Sequence, residues 1–208
     1  MRIIENNLIF NRPHVPRETT TRIIIHHTGG GDVPASIIHR WHLARKGFGG
    51  IGYHYLIRAD GTVERGRPEN VRGVHVSKAN GNSIGIALSG NFTLRPPTAA
   101  QLTALVQLIR DIRERYQNLA MTAEDRRLIG NLRADIQRVQ LRADDPVVRA
   151  WFEKEHNGID AYLAVQRTRL STALARTPVL SIAGHSDVGA TACPGGLFPW
   201  TELRQRLV

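Results

Sequence analysis

Three features of this 208-residue chain carry groups that bind metals or attack carbonyls. A histidine pair, His26-His27, ends a β-branched run, and His185 and Cys193 lie near the other end with seven residues between them. Imidazole and thiolate are good zinc ligands, and three protein ligands with a fourth position open is the catalytic arrangement of that metal. Cys193 can instead serve as a nucleophile with a histidine base, which is a different class of mechanism. Taken singly, a histidine is an ordinary core or surface residue, and a lone cysteine is a small buried hydrophobe. Side chains alternate across a strand, so His26 and His27 point to opposite faces. Only one of them can readily face a metal, and the residues do not say which.

The elements that must hold these groups are visible in the local pattern. Arg22 to Thr28 is a short buried strand closed by Gly29-Gly30-Gly31. A helix follows, with Pro34 near its first turn and Asp32 close to its positive end. Ile37, Ile38 and Trp41 continue one apolar face, which makes Trp41 a core residue, and Gly47 is a C-terminal stop. Tyr53–Ile57 is a second strand, and Asp60-Gly61 before Thr62-Val63-Glu64 signals a hairpin. Two more strands are expected at Asn82–Leu88, with Asn82 as an entry turn residue, and at Val179–Ala183.

Between those last two strands the pattern turns helical. Thr98 and Gln101 have capping-box spacing ahead of the stripe Leu102, Leu105, Val106 and Ile109. A second start lies at Thr122, and the chain to about Arg176 forms two or three helices broken near Asp144-Asp145-Pro146 and Asn157-Gly158. The expected fold class is α/β: a mixed central β-sheet flanked by helices, with a helical insertion before the last core strand. One domain over 1–208 is expected, with 119–177 inserted in it; a structureless loop of that length is improbable in a compact domain.

Composition narrows the partners. Twenty-eight Lys+Arg against 18 Asp+Glu leave +10, nearly all of it arginine, which suits nucleic acid, a membrane surface or an acidic wall polymer. Residues 121–177 hold ten basic and eight acidic side chains, so most of the excess lies elsewhere. No basic stripe with aromatic stacking residues is evident, which argues against nucleic acid. At 41% hydrophobic and 22% charged the chain is not of disordered type. No apolar run approaches the ~20 residues that span a bilayer. The single cysteine excludes an internal disulfide framework. The first residues lack a secretory pattern, so synthesis in the cytoplasm without a signal peptide is expected.

Five motifs occur in order: Ile25-His26-His27-Thr28, Gly52-Tyr53-His54-Tyr55, Asn82-Ser83-Ile84-Gly85-Ile86, Gly184-His185-Ser186-Asp187-Val188 and Thr191-Ala192-Cys193-Pro194-Gly195. Each is weak alone. Together they resemble the zinc-dependent N-acetylmuramoyl-L-alanine amidase family, which includes amidase-type phage lysozymes and animal peptidoglycan-recognition proteins. The resemblance covers about residues 20–117 and 179–207. It implies zinc held by His26, His185 and Cys193, and leaves His27 a packed or outer residue. It implies that Tyr53 lies beside the metal and bonds the attacking water or the oxyanion, core packing being the alternative. Where phage enzymes often carry lysine, two positions before the cysteine, this chain has Thr191, as several active recognition proteins do. Its hydroxyl is expected on the oxyanion side, without the charge lysine would bring. His75 matches a position lining the substrate groove, to bind peptide or sugar or to act as a structural hydrogen-bonder. Asp187 is expected to orient a ligand histidine.

The activity so implied is zinc-dependent hydrolysis of the amide between the lactyl group of N-acetylmuramic acid and L-alanine. The implied partner is bacterial peptidoglycan, with anionic wall polymers as possible additional attractors. A phage endolysin released to the wall through a holin's membrane hole is the expected role, an autolysin or secreted effector the alternative. A recognition module that grips peptidoglycan without cutting it is the second reading. The insertion suits a hairpin flanking the groove, a dimerisation surface or a wall-targeting element.

Overall fold

Short β-branched runs dominate the strands of the computed structural model, which describes residues 2–45, 47–177 and 179–207. Strands β1 (Ile3–Ile4), β2 (Arg22–His27), β3 (Tyr55–Ile57), β4 (Val63–Arg65), β5 (Ser83–Leu88) and β6 (Ser181–Gly184) form one sheet in the order β1-β4-β3-β5-β2-β6. β3 and β4 pair antiparallel through the expected hairpin, and the other neighbours are parallel, so the sheet is mixed. β5 is buried at every position, and Ile23, Ile24 and Ile25 of β2 are fully buried. Central strands of this kind are near-continuous apolar runs rather than alternating ones.

The strand expected at Tyr53–Ile57 is regular only from Tyr55. The residues before it bond to a loop instead: Arg67 N–H donates to the Tyr53 carbonyl and Val74 N–H to that of Gly52. That detour brings the 66–75 loop beside Tyr53.

Helix α1 (Ala35–Leu43) corrects two expectations. Its inward stripe is Ala35, Ile38 and His39, and Trp41 is 53% exposed rather than core. Histidines take inward positions because they bond to backbone: Nδ1 of His39 accepts from Ile51 N–H and Nδ1 of His42 from Gly52 N–H. Asp32 does not serve the helix end; it pairs with Arg58 at 2.8 Å and accepts from Ala59 N–H. Glu64, from β4, accepts the Ala35 N–H at 2.9 Å in its place.

Helix α2 (Ala99–Ala120) opens with the expected reciprocal box. Thr98 Oγ1 accepts from Gln101 N–H, and Gln101 Oε1 accepts from Thr98 N–H, both at 3.0 Å. The same glutamine donates to the Ser89 carbonyl, tying the helix start to the end of β5.

The chain divides into two compact units, Met1–Glu114 with Leu180–Val208 and Arg115–Val179. The first holds the sheet, α1 and a last helix, α6 (Trp200–Arg206). The second holds α3 (Ala123–Leu141), α4 (Pro146–His156) and α5 (Ile159–Ala175). Thr122 caps α3 by accepting from Asp125 N–H, and Asp145 caps α4 by accepting from Val147 and Val148 N–H. Asn157, at φ 57°, and Gly158, at φ 100°, turn the chain between α4 and α5. Ile136, Val139, Phe152 and Leu163 make one core of this unit, and Met121, Ile129 and Ala173 another. Among the described residues no helix is long and apolar enough to cross a membrane.

Candidate metal centre

Parallel pairing of β2 with β6 sets Ile25 beside Gly184, and the chain then turns at His185–Asp187 next to His26. The Asp187 carboxylate accepts from Gly184 N–H at 2.8 Å. It therefore shapes the turn that carries His185 rather than touching the imidazole. Cys193 is tied back to that turn by Ser186 N–H, which donates to its carbonyl at 2.8 Å.

Ligand atoms of His26, His185 and Cys193 lie within 4.8 Å of one another. Tetrahedral zinc with nitrogen at ~2.1 Å and sulfur at ~2.3 Å separates those two ligands by about 3.6 Å. The observed His26 Nδ1 to Cys193 Sγ distance is 3.7 Å. These donors fit the metal in number and kind, and the His26–Cys193 pair fits it in spacing. His27 faces the other way, its Nδ1 accepting from Phe92 N–H, while its backbone N–H donates to Cys193 Sγ at 3.3 Å.

The electrostatics follow from burial. His26 is held well below the usual imidazole range, first by desolvation and then by His185. Desolvation lowers His185 as well, so both stay neutral with lone pairs available. Burial pushes the Cys193 thiol up to about 11, partly offset by the His27 N–H. Metal binding must displace that proton.

Tyr53 lies against His26 with ring centroids 5.1 Å apart. Burial, then the charge of Cys193, pushes its phenol up to about 12, so it remains a donor at neutral pH. Thr191 is exposed, and its Oγ1 accepts from Cys193 N–H at 3.2 Å. Its own hydroxyl proton is left to donate elsewhere.

His75 is buried behind His26, and its Nδ1 lies 3.0 Å from His26 Nε2. A Cβ on Gly85 would fall 2.6 Å from the His75 ring and one on Gly73 2.3 Å from it, so both glycines make room for it. A hollow of about 600 Å³ in the same unit is lined by Arg12, Phe48, Arg67, Arg72, Val74 and Asn80 among others, with no carboxylate in its wall. Val74 joins it to the cluster, being next to His75 and donating to the Gly52 carbonyl. Sequence reasoning missed this hollow; its signal was the pair of Arg-Gly junctions at Gly66-Arg67 and Arg72-Gly73. Asn82, expected as a turn residue, accepts from Thr21 N–H through its carbonyl at the entry of β5.

Known proteins share this arrangement of elements. The chain is 37% identical to peptidoglycan-recognition protein SC2 of Drosophila melanogaster over 102 residues, 45% of this chain and 55% of that protein. It thus spans about half the length of that relative. It is 33% identical to the endolysin of Escherichia phage T7 over 115 residues, 51% of this chain and 76% of the endolysin. Among solved structures it resembles N-acetylmuramoyl-L-alanine amidase LysC from Clostridium intestinale URNW, with a TM-score of 0.66 and 26% identity over 100% of this chain and 97% of the other. The profile of one family matches residues 16–148, which hold His26, Tyr53 and His75. By that match, over more than half of its length, the chain belongs to the N-acetylmuramoyl-L-alanine amidase family.

Proposed function

We propose that this protein is a peptidoglycan hydrolase that cleaves the amide between the lactyl group of N-acetylmuramic acid and L-alanine, with zinc as cofactor, and acts as a phage endolysin. The observation that carries this reading is the approach of His26, His185 and Cys193 to within 4.8 Å, with Tyr53 beside them. The chemistry zinc supplies in such a ligand set is Lewis acidity, which lowers the pKa of water toward about 7 and polarises a carbonyl.

The chain's own groups do the rest. Tyr53, protonated at neutral pH, donates to the oxygen on which negative charge develops. Thr191 adds a second, uncharged donor. The cations of Arg12, Arg67 and Arg72 suit the carboxylates of a stem peptide. His75 we assign to holding His26 rather than to the substrate, because it sits buried against the nitrogen opposite the ligand trio. Residues 119–177 we take as an insertion in one amidase domain, and the site of action as the wall, reached through a holin's hole.

The test is turnover of purified peptidoglycan, with products identified by mass spectrometry before and after chelation and zinc return. Stem peptides beginning with L-alanine, lost on chelation and restored by zinc, are expected. Uncut peptidoglycan that co-sediments with the protein would replace this reading with the recognition module.

A further inference from the structure

Helices α3, α4 and α5 enclose a groove of about 440 Å³ bordered by Asp135, Arg138, Arg142, Val147, Trp151 and Tyr162 among others. A second hollow of about 410 Å³ shares Asp135, Arg138 and Tyr162 with it and extends past Arg169. The two hollows adjoin at Asp135, Arg138 and Tyr162 and together form the trough of this unit.

The trough has an aromatic wall with fixed planes. Trp151 is 53% exposed, although its ring packs edge-on against Phe152 at 4.8 Å and against His156 at 5.2 Å. Tyr162 is pinned by its hydroxyl, which donates to Asp135 at 2.5 Å. That bond engages the one carboxylate bordering both hollows. Arg138 makes no hydrogen bond or ion pair among the described residues, and Arg142 makes a single long one, 3.5 Å to Asp145. The trough is therefore aromatic and net positive.

We propose that this trough binds the glycan strand of peptidoglycan after its stem peptides have been removed. The C–H face of a pyranose ring packs on an exposed indole plane, and guanidinium groups pair with carboxylates. Hydrolysis of the lactyl amide leaves a free carboxylate on every muramic residue. The cut strand is then a ribbon of sugar faces with regularly placed negative charge, which matches Trp151 flanked by Arg138 and Arg142. The choice of polymer rests on the hydrolase reading above; the trough tethers the enzyme to the strand it has just stripped.

The experiment measures binding of the full chain to peptide-free glycan strands by titration calorimetry. Chito-oligosaccharides of equal length lack the carboxylates, and polyglutamate lacks the sugars. The stripped strands are expected to bind at least tenfold more tightly than either control. Trp151→Ala and Arg138→Gln should each weaken that binding about tenfold, keep the helical circular dichroism, and leave turnover of a soluble muramyl peptide unchanged. Undiminished strand binding in both variants would overturn the proposal, as would polyglutamate binding as tightly as the glycan. A chain that binds strands through Trp151 yet releases no stem peptide would sink the hydrolase reading and leave the trough standing.

Discussion

His26 can offer Nδ1 to a metal only if its proton sits on Nε2. At 3.0 Å the partner for that proton is Nδ1 of His75, which must then be the accepting nitrogen. We predict that His75→Ala weakens zinc affinity ten- to a hundredfold, read by competition with a chromophoric chelator. Unchanged affinity would show that His75 has no hold on the ligand. Tyr53→Phe has the opposite signature: zinc stays bound, and turnover falls roughly a hundred- to a thousandfold, the usual effect of losing one oxyanion donor. Wild-type turnover would remove Tyr53 from the chemistry. Motif order pointed to the side chains that the fold brings together, His26, His185, Cys193 and Tyr53. The place of His75 was not legible there, because it depends on two glycines, Gly73 and Gly85, leaving room for its ring.

At the scale of elements, local signals were the readable ones. The Thr98–Gln101 box, the Thr122 cap and the Asp145-Pro146 start each span four residues or fewer and formed as their spacing required. We predict that Asp145→Ala lowers the urea midpoint of the helical signal, because the first-turn N–H groups of α4 lose their acceptor. No change in the midpoint would mean that water replaces the cap at no cost. The start of α1 was misread for the complementary reason. Asp32 is near in sequence, but Glu64 reaches the helix end from a neighbouring strand, and the pairing of β3 with β4 puts it there.

For the molecule as a whole, buried neutral histidines set an acid limit. Burial pushes His54 down to about 3; its Nδ1 accepts from Gly85 N–H and its Nε2 donates to the Val71 carbonyl. Neither nitrogen has room for another proton without losing a bond. In the unfolded chain the same imidazole takes up its proton near 6.5. Stability is therefore present above pH 6.5 and lost as pH falls from there toward 3, at up to about 1.4 kcal/mol per pH unit for this group. Metal-free protein should show urea midpoints that fall steadily from pH 7 to pH 5, a range in which ordinary carboxylates stay ionised. A flat profile would contradict the neutral buried state of His54. The whole-molecule reading of a mixed α/β sheet with a helical segment before its last strand came from alternating strand and helix signals, each strong over a few residues.

What motif order, composition and periodicity made legible was the family, the class of fold and the points where helices begin, since each motif and each helix start depends on residues close together in the chain. Which histidine of the pair faces Cys193, where His75 sits, why Trp41 lies outside the core and which acid meets α1 were decided by folding. Those outcomes depend on groups brought together across the sheet, His26 and Cys193 being 167 positions apart, and no local pattern encodes a contact at that distance.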